Sequence, residues 1–195
     1  MELYLITGFL GAGKTTFLKN FARQFAGRRL RLIINEFGRA GVDGTLLREL
    51  DAALDEISNG SIFCACRLDQ FEAALEQAAA DAPDVVLVEA SGLADPTNVR
   101  RVLAQFPAVS YQGSVCVADA ARLEKVFSTA RACPRQLAVS SLVLLNKTDL
   151  ATEAQCAEAK ALILRANPAA RIRRTQFGRF EPEWLSLIVP DVDVD

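Results

Sequence analysis

Gly8-Phe9-Leu10-Gly11-Ala12-Gly13-Lys14-Thr15 is the stretch that decides how this chain is read. It fits the Walker A pattern: a glycine, four residues, then Gly-Lys-Thr. Such a loop turns backbone N–H groups inward around a phosphate, and its glycines permit the dihedrals and the close approach this requires. Lys14 is placed to reach the β- and γ-phosphates and Thr15 to ligate magnesium. The helix that opens there adds the partial positive charge of its N-terminus. Gly8, Gly11, Ala12, Gly13, Lys14, Thr15 and Thr16 are therefore the expected phosphate-binding residues. The flanks agree, since an apolar strand over Glu2–Thr7 precedes the loop and a helix over about Lys14–Phe25 follows it.

Working outward, strand-like runs alternate with longer amphipathic or alanine-rich stretches, the pattern of parallel strands with crossover helices. Strands are expected at Leu30–Asn35, Asp55–Ser58, Val85–Val88, Ser114–Ala118, Leu142–Leu145 and Ala170–Arg173. Helices are expected at Thr45–Ala53, Arg67–Ala80, Thr97–Phe106, from Ala120 and at Glu153–Ala166. The fold class is α/β: a P-loop, doubly wound, mostly parallel sheet with helices on both faces. The pattern fades after Gly178, so the division is a nucleotide-binding domain over 1–178 and an extension over 179–195. The acidic tail Asp191–Asp195 is expected to be mobile.

Two further constellations sit at strand ends. Asn146-Lys147-Thr148-Asp149 directly follows Leu142–Leu145. An aspartate there accepts from both the ring N–H and the exocyclic amine of guanine, a pair that adenine does not offer. Lys147 would cover the base with its methylene stem, and Asn146 would brace the loop. Taken with the Walker A loop, this favours GTP over ATP. Val85–Val88 runs into Glu89-Ala90-Ser91-Gly92. Glu89 would hold magnesium from the end of that strand, where an aspartate is more usual, and the Gly92 N–H would meet the γ-phosphate. Leu93 follows in place of a water-orienting glutamine, so unassisted hydrolysis should be slow.

Composition narrows the field. The chain has 195 residues with a formal charge of -2, which leaves no bulk electrostatic footprint for nucleic acid or an anionic membrane. No apolar run approaches the roughly 18 residues of a membrane helix. The start at Met1-Glu2-Leu3 lacks the basic opening of a signal peptide. Five cysteines, an odd number, suit reduced thiols in a cytoplasm. With 0 histidines, histidine catalysis and histidine–zinc sites are excluded for these residues. The short arginine clusters Arg28-Arg29-x-Arg31 and Arg171-x-Arg173-Arg174, with Arg100-Arg101 on a helix, read as solvated charge flanking strands. The alternatives are an arginine that completes the nucleotide site or a contact patch for a partner protein.

Together these residues resemble the CobW/HypB/UreG family of metal-handling P-loop GTPases, specifically its CobW-like branch. The likeness runs through Ile6–Thr16, Asn35-Glu36-Phe37-Gly38 with Val42-Asp43-Gly44, Ser58-Asn59-Gly60, Glu89–Pro96 and Asn146–Leu150, and so spans nearly all of residues 1–175. The resemblance implies GTP bound with magnesium, and hydrolysis used to deliver a metal or metal-bearing cofactor to a client protein. It also implies that Asn35, Glu36, Phe37, Gly38 and Asp43 form a switch that senses the γ-phosphate. The family's Cys-x-Cys-Cys motif is altered here: Ser61-Ile62-Phe63-Cys64 stands in its place, and Cys66 restores a Cys-x-Cys pair.

Two thiolates at Cys64 and Cys66 can share one ion such as zinc, cobalt or nickel, with Glu36 as a candidate third ligand. Two thiolates do not close a tetrahedral site, whereas a homodimer meeting at this loop would bring four. Cys116 and Cys156 read as packing residues, and Cys133 is unassigned. The expected function is a nucleotide-gated metallochaperone with a metal-receiving partner. The alternative is a GTP-dependent regulatory or interaction module in which the cysteine loop is structural. A small-molecule kinase is disfavoured by the guanine signature.

Overall fold

Seven short strands pair edge to edge in the computed structural model, which describes residues 1–35, 44–57, 61–63 and 68–190. They are β1 (Glu2–Thr7), β2 (Leu30–Asn35), β3 (Ala53–Ile57), β4 (Val85–Glu89), β5 (Ser110–Asp119), β6 (Leu142–Asn146) and β7 (Arg171–Arg174). Their order is β3-β2-β4-β1-β5-β6-β7, and every neighbouring pair is parallel. The helices are α1 (Lys14–Ala22), α2 (Gly44–Leu50), α3 (Leu68–Asp81), α4 (Val99–Leu103), α5 (Leu123–Thr129), α6 (Ala132–Ala138) and α7 (Glu153–Ala166).

The period-2 alternation of each strand divides the core between the two faces of the sheet. Tyr4, Ile6, Leu32, Leu87, Val117 and Leu144 face α1, whose Phe17 and Phe21 lie fully buried among them. Leu3, Leu5, Ile33, Val86 and Val88 face the opposite side with Phe71 and Leu75 of α3. Farther along that side, Cys116, Val143 and Leu145 pack with Leu137 of α6 and Ile163 of α7. Parallel registers such as Ile6↔Glu89, Asn35↔Ile57 and Asp119↔Asn146 bring the polar strand ends to one edge of the sheet. Because β1 is flanked by β4 and β5, that edge holds the switch point where ligands bind in such folds.

Arg31, expected as solvated charge, is instead buried on β2, where Asp55 of β3 and Asp81 of α3 pair with it. Several boundaries also differ from those expected from sequence. β5 starts at Ser110 rather than Ser114, because Ser110 and Tyr111 pair with Glu2 and Leu3 before a bulge at Leu3/Tyr4. The helix expected from Ala120 is two helices, α5 and α6. α2 stops at Leu50 because Asp51 takes φ 48°, which frees Ala53 to begin β3. The segment after Gly178, where no period was visible, packs against the core. Phe180 meets Phe21 at 4.8 Å and Trp184 at 5.8 Å, and Ile188 is buried. The Asp191–Asp195 tail lies outside the described residues.

Candidate functional site

The Walker A loop spans the turn between β1 and α1, at the carboxyl edge of the sheet. Gly13 takes φ 103°, and a Cβ there would lie 2.6 Å from Nδ2 of Asn146. The positive φ and the close amide together make any side chain at that position strained. Asn146, buried at the end of β6, donates from Nδ2 to the Ala12 carbonyl at 2.9 Å and accepts from Gly178 N at 3.1 Å. Lys147 donates from Nζ to the Gly11 carbonyl at 2.6 Å and pairs with Asp119 at 2.9 Å. The two residues expected at the base thus also clamp the phosphate loop, which joins the two motifs into one rigid unit.

Lys14 is buried to 9% exposure, unusual for a lysine, and lines a small cavity with Leu10, Gly11, Asn35, Glu89, Ser91, Gly92 and Leu93. Thr15, one residue on, donates from Oγ1 to Glu89 at 3.3 Å. A hydroxyl beside a buried carboxylate is a hard-oxygen pair of the kind magnesium takes. These two residues fit the ion, and they come from different elements, α1 and β4. Gly92 lies directly on the phosphate loop, where a Cβ would sit 2.6 Å from the Leu10 nitrogen. Leu10 and Leu93 stand 56% and 60% exposed beside the cavity.

The loop after β4 is held from both sides. On one side Gln136 of α6, itself buried, donates to the carbonyls of Gly92 at 3.2 Å and Ala94 at 2.9 Å. Its neighbour Arg135 pairs with Asp95. Burial pulls the Asp95 carboxyl up, but the Thr97 hydroxyl and N–H and the Arg135 guanidinium outweigh it and hold the group below its ordinary range. On the other side is Asn35 at the end of β2, fully buried. Its Nδ2 donates to the Ile57 carbonyl at 3.0 Å, and its Oδ1 accepts from Ile62 N at 3.0 Å and Ser91 N at 3.3 Å. One carboxamide therefore joins the Ser91 side of the cavity to Ile62, two residues before Cys64 in sequence.

Asp149 lies exposed on a single 3₁₀ turn, Thr148–Leu150, and makes no hydrogen bond among the described residues. That turn is tied to the chain after β7, with Thr148 donating to the Thr175 carbonyl from N at 3.3 Å and from Oγ1 at 3.1 Å. Of the expected switch, only Asn35 is described. Glu36, Phe37, Gly38 and Asp43, and the metal candidates Cys64 and Cys66, lie outside the described residues. Cys116, Cys133 and Cys156 are buried. Burial pushes the Cys116 thiol up to about 12 and the Cys133 thiol up to about 11, which keeps both protonated and poor as ligands. Among the described residues no cluster of histidine, cysteine, aspartate or glutamate is suited to a metal.

Sequence reasoning missed Asp119, Gln136 and Gly178. Asp119 carried a findable signal, since it ends an apolar strand as Asn35, Glu89 and Asn146 do. Gln136 sits in a short helix with no motif around it, and only its burial reveals it.

The model of the CobW/HypB/UreG nucleotide-binding domain matches residues 2–174. The "Zinc chaperone CobW" of Pseudomonas aeruginosa is 32% identical over 87% of this chain and 55% of its own length. The "Zinc chaperone YeiR" of Escherichia coli is 33% identical over 76% of this chain and 47% of its own length. The chain thus spans about half the length of the curated relatives it matches. Among solved structures, Zn(II)-bound YjiA GTPase from E. coli superposes with a TM-score of 0.66 at 23% identity, covering 97% of this chain and 61% of the other. HypB from Helicobacter pylori in complex with nickel gives 0.60 at 17% identity, covering 94% and 81%. At those identities the structures speak for the fold. No helix among the described residues is long and apolar enough to cross a membrane.

Proposed function

The chain belongs to the CobW/HypB/UreG nucleotide-binding family, and from that premise we propose that it binds and hydrolyses GTP and couples nucleotide state to the delivery of zinc to a client protein. The observation that carries this reading is the Asn35 carboxamide. It accepts from Ser91 N, beside the γ-phosphate donor Gly92, and from Ile62 N, two residues before Cys64. A change at the phosphate therefore has a short covalent and hydrogen-bonded route to the turn that leads into the cysteines.

Thr15 and Glu89 would hold magnesium, which supplies charge neutralisation at the β- and γ-phosphates. Lys14 meets the same phosphates, Gly92 N–H marks the presence of the γ-phosphate, and Asp149 selects guanine. Water is left without a glutamine to orient it, since the exposed Leu93 follows Gly92. Intrinsic turnover on the order of 10⁻⁴–10⁻³ per second is expected, as in unassisted GTPases. Zinc is favoured over cobalt and nickel because the curated relatives reported above are zinc chaperones. It would be cargo on Cys64 and Cys66, with Glu36 or a second copy of the chain completing the set. The three described cysteines are free thiols, in keeping with a reducing cytoplasm.

A second reading, a GTP-dependent interaction module, draws on Leu10 and Leu93, two exposed apolar side chains flanking the phosphate cavity. Zinc titration with magnesium and either GDP or a non-hydrolysable GTP analogue separates the two. Chaperone function requires that zinc affinity differ between the nucleotides, by about 5- to 150-fold for ordinary couplings. The same zinc affinity in both states would leave only the interaction module. Cobalt and nickel titrations beside it test the choice of metal.

A further inference from the structure

We propose that the ring of Phe177 is the stacking platform for the guanine base. The inference rests on the guanine-nucleotide reading above and concerns a residue that no motif marks.

Phe177 is 65% exposed, on the turn that follows β7. Its backbone takes φ 54° and that of Gly178 takes φ 62°, and Arg179 N donates to the Gln176 carbonyl at 3.1 Å. Two positive-φ central residues closed by an i to i+3 hydrogen bond make a type I′ turn. That turn strongly prefers asparagine, aspartate or glycine at its first central position. A bulky aromatic there is a backbone outlier with an exposed apolar ring, disfavoured twice over. Neither the turn nor the core needs that ring, since the core contacts of this segment begin at Phe180.

The neighbours say what the ring is for. The turn is locked to the base-recognition loop at both ends. On one side Thr148 donates to the Thr175 carbonyl, and on the other Gly178 N donates to Asn146 Oδ1 at 3.1 Å. Asn20 of α1 fixes the tip by donating from Nδ2 to the Phe177 carbonyl at 3.1 Å and the Gly178 carbonyl at 2.9 Å. The backbone at Phe177 is thus tied by hydrogen bonds to the loop that carries Lys147 and Asp149. An aspartate can read the hydrogen-bonding edge of a purine, but edge contacts in open water are weak unless a face is also covered. A neighbouring aromatic ring supplies that face.

The test is GDP binding by calorimetry, with magnesium, to the full chain and to Phe177→Asn and Phe177→Trp, and tripolyphosphate binding as the base-free control. Asparagine is the residue the turn prefers, so Phe177→Asn should unfold at the same temperature as the parent or higher. It should nonetheless bind GDP about 5- to 150-fold more weakly, with tripolyphosphate affinity unchanged. Phe177→Trp should keep GDP affinity and show indole quenching on binding. The proposal is overturned if Phe177→Asn binds GDP as the parent does. It is equally overturned if GDP and tripolyphosphate weaken by the same factor, because the residue then acts through the phosphate loop. A parent chain that binds tripolyphosphate but no guanine nucleotide overturns the guanine reading itself, and this inference with it.

Discussion

The two ends of the candidate nucleotide site are built by opposite means. At the phosphate end the polar groups are buried: Asn35 at 0% and Glu89 at 1% exposure, each at a strand end and held by hydrogen bonds, and Lys14 at 9% at the start of α1. At the base end the groups proposed to meet the ligand, Asp149 and Phe177, stand in solvent on two short turns, and only the backbone beneath them is fixed. The difference teaches where affinity and state-sensing can reside. A buried, cross-braced end can register the loss of one phosphate and pass it on. An exposed end can select a base without the core taking part.

If that division holds, substitutions at the two ends should differ in kind. The largest effect is expected for Lys14→Ala. It removes the cation proposed to meet two phosphates, and charged hydrogen bonds are worth about 1.5–3 kcal/mol each. GTP affinity should fall about a hundredfold or more, and tripolyphosphate affinity with it, in a calorimetric titration. Loss of GTP binding with tripolyphosphate unaffected would mean that the buried end is not the phosphate end.

Intermediate effects are expected from the two side chains that brace the loop after β4. Gln136→Leu leaves the Gly92 and Ala94 carbonyls without their buried donor. It should lower kcat for GTP about tenfold while changing GDP affinity little, because on the proposed reading only the triphosphate state uses Gly92. Asn35→Ala breaks the link to Ile62, so the nucleotide effect on zinc affinity should shrink at least about fivefold. Undiminished coupling in that variant would route the signal elsewhere.

The smallest effect concerns Asp95, whose carboxyl is held below its ordinary range in the folded chain. A group with a depressed folded pKa contributes stability above its unfolded pKa, and that contribution is lost as pH falls through the folded value. Asp95→Asn should therefore be less stable than the parent at pH 7, by under about 1 kcal/mol for a half-exposed pair. The gap should close below the usual carboxylate range, as followed by thermal unfolding. A gap that persists in acid would mean the loss is steric.

How much of this was legible in the sequence follows the same division. The Walker A loop, the Thr15–Glu89 pair and Asn146–Asp149 could be placed together at the strand ends because each motif needs fixed residue types at a fixed spacing from a strand end. The doubly wound sheet was legible because central strands such as Val85–Val88 are apolar on both faces. What escaped was set by tertiary contact. Gln136 is defined by the two carbonyls it meets from another element. Phe177 is defined by a turn whose dihedrals its own chemistry disfavours. The packing of Phe180, Trp184 and Ile188 follows from proximity to α1, with no helical or strand period to announce it.

The central claim, that an exposed base end chooses the nucleotide while a buried end reads its state, is tested most directly by the base preference of Asp149→Asn. The dissociation constants of GTP and XTP should be measured for parent and variant under the same magnesium concentration. The aspartate accepts from two guanine donors, whereas an asparagine amide donates to the extra carbonyl of xanthine. The account predicts that GTP binding weakens at least about tenfold while XTP binding strengthens, so that the preference crosses over. GTP affinity unchanged in the variant, with no gain for XTP, would contradict it.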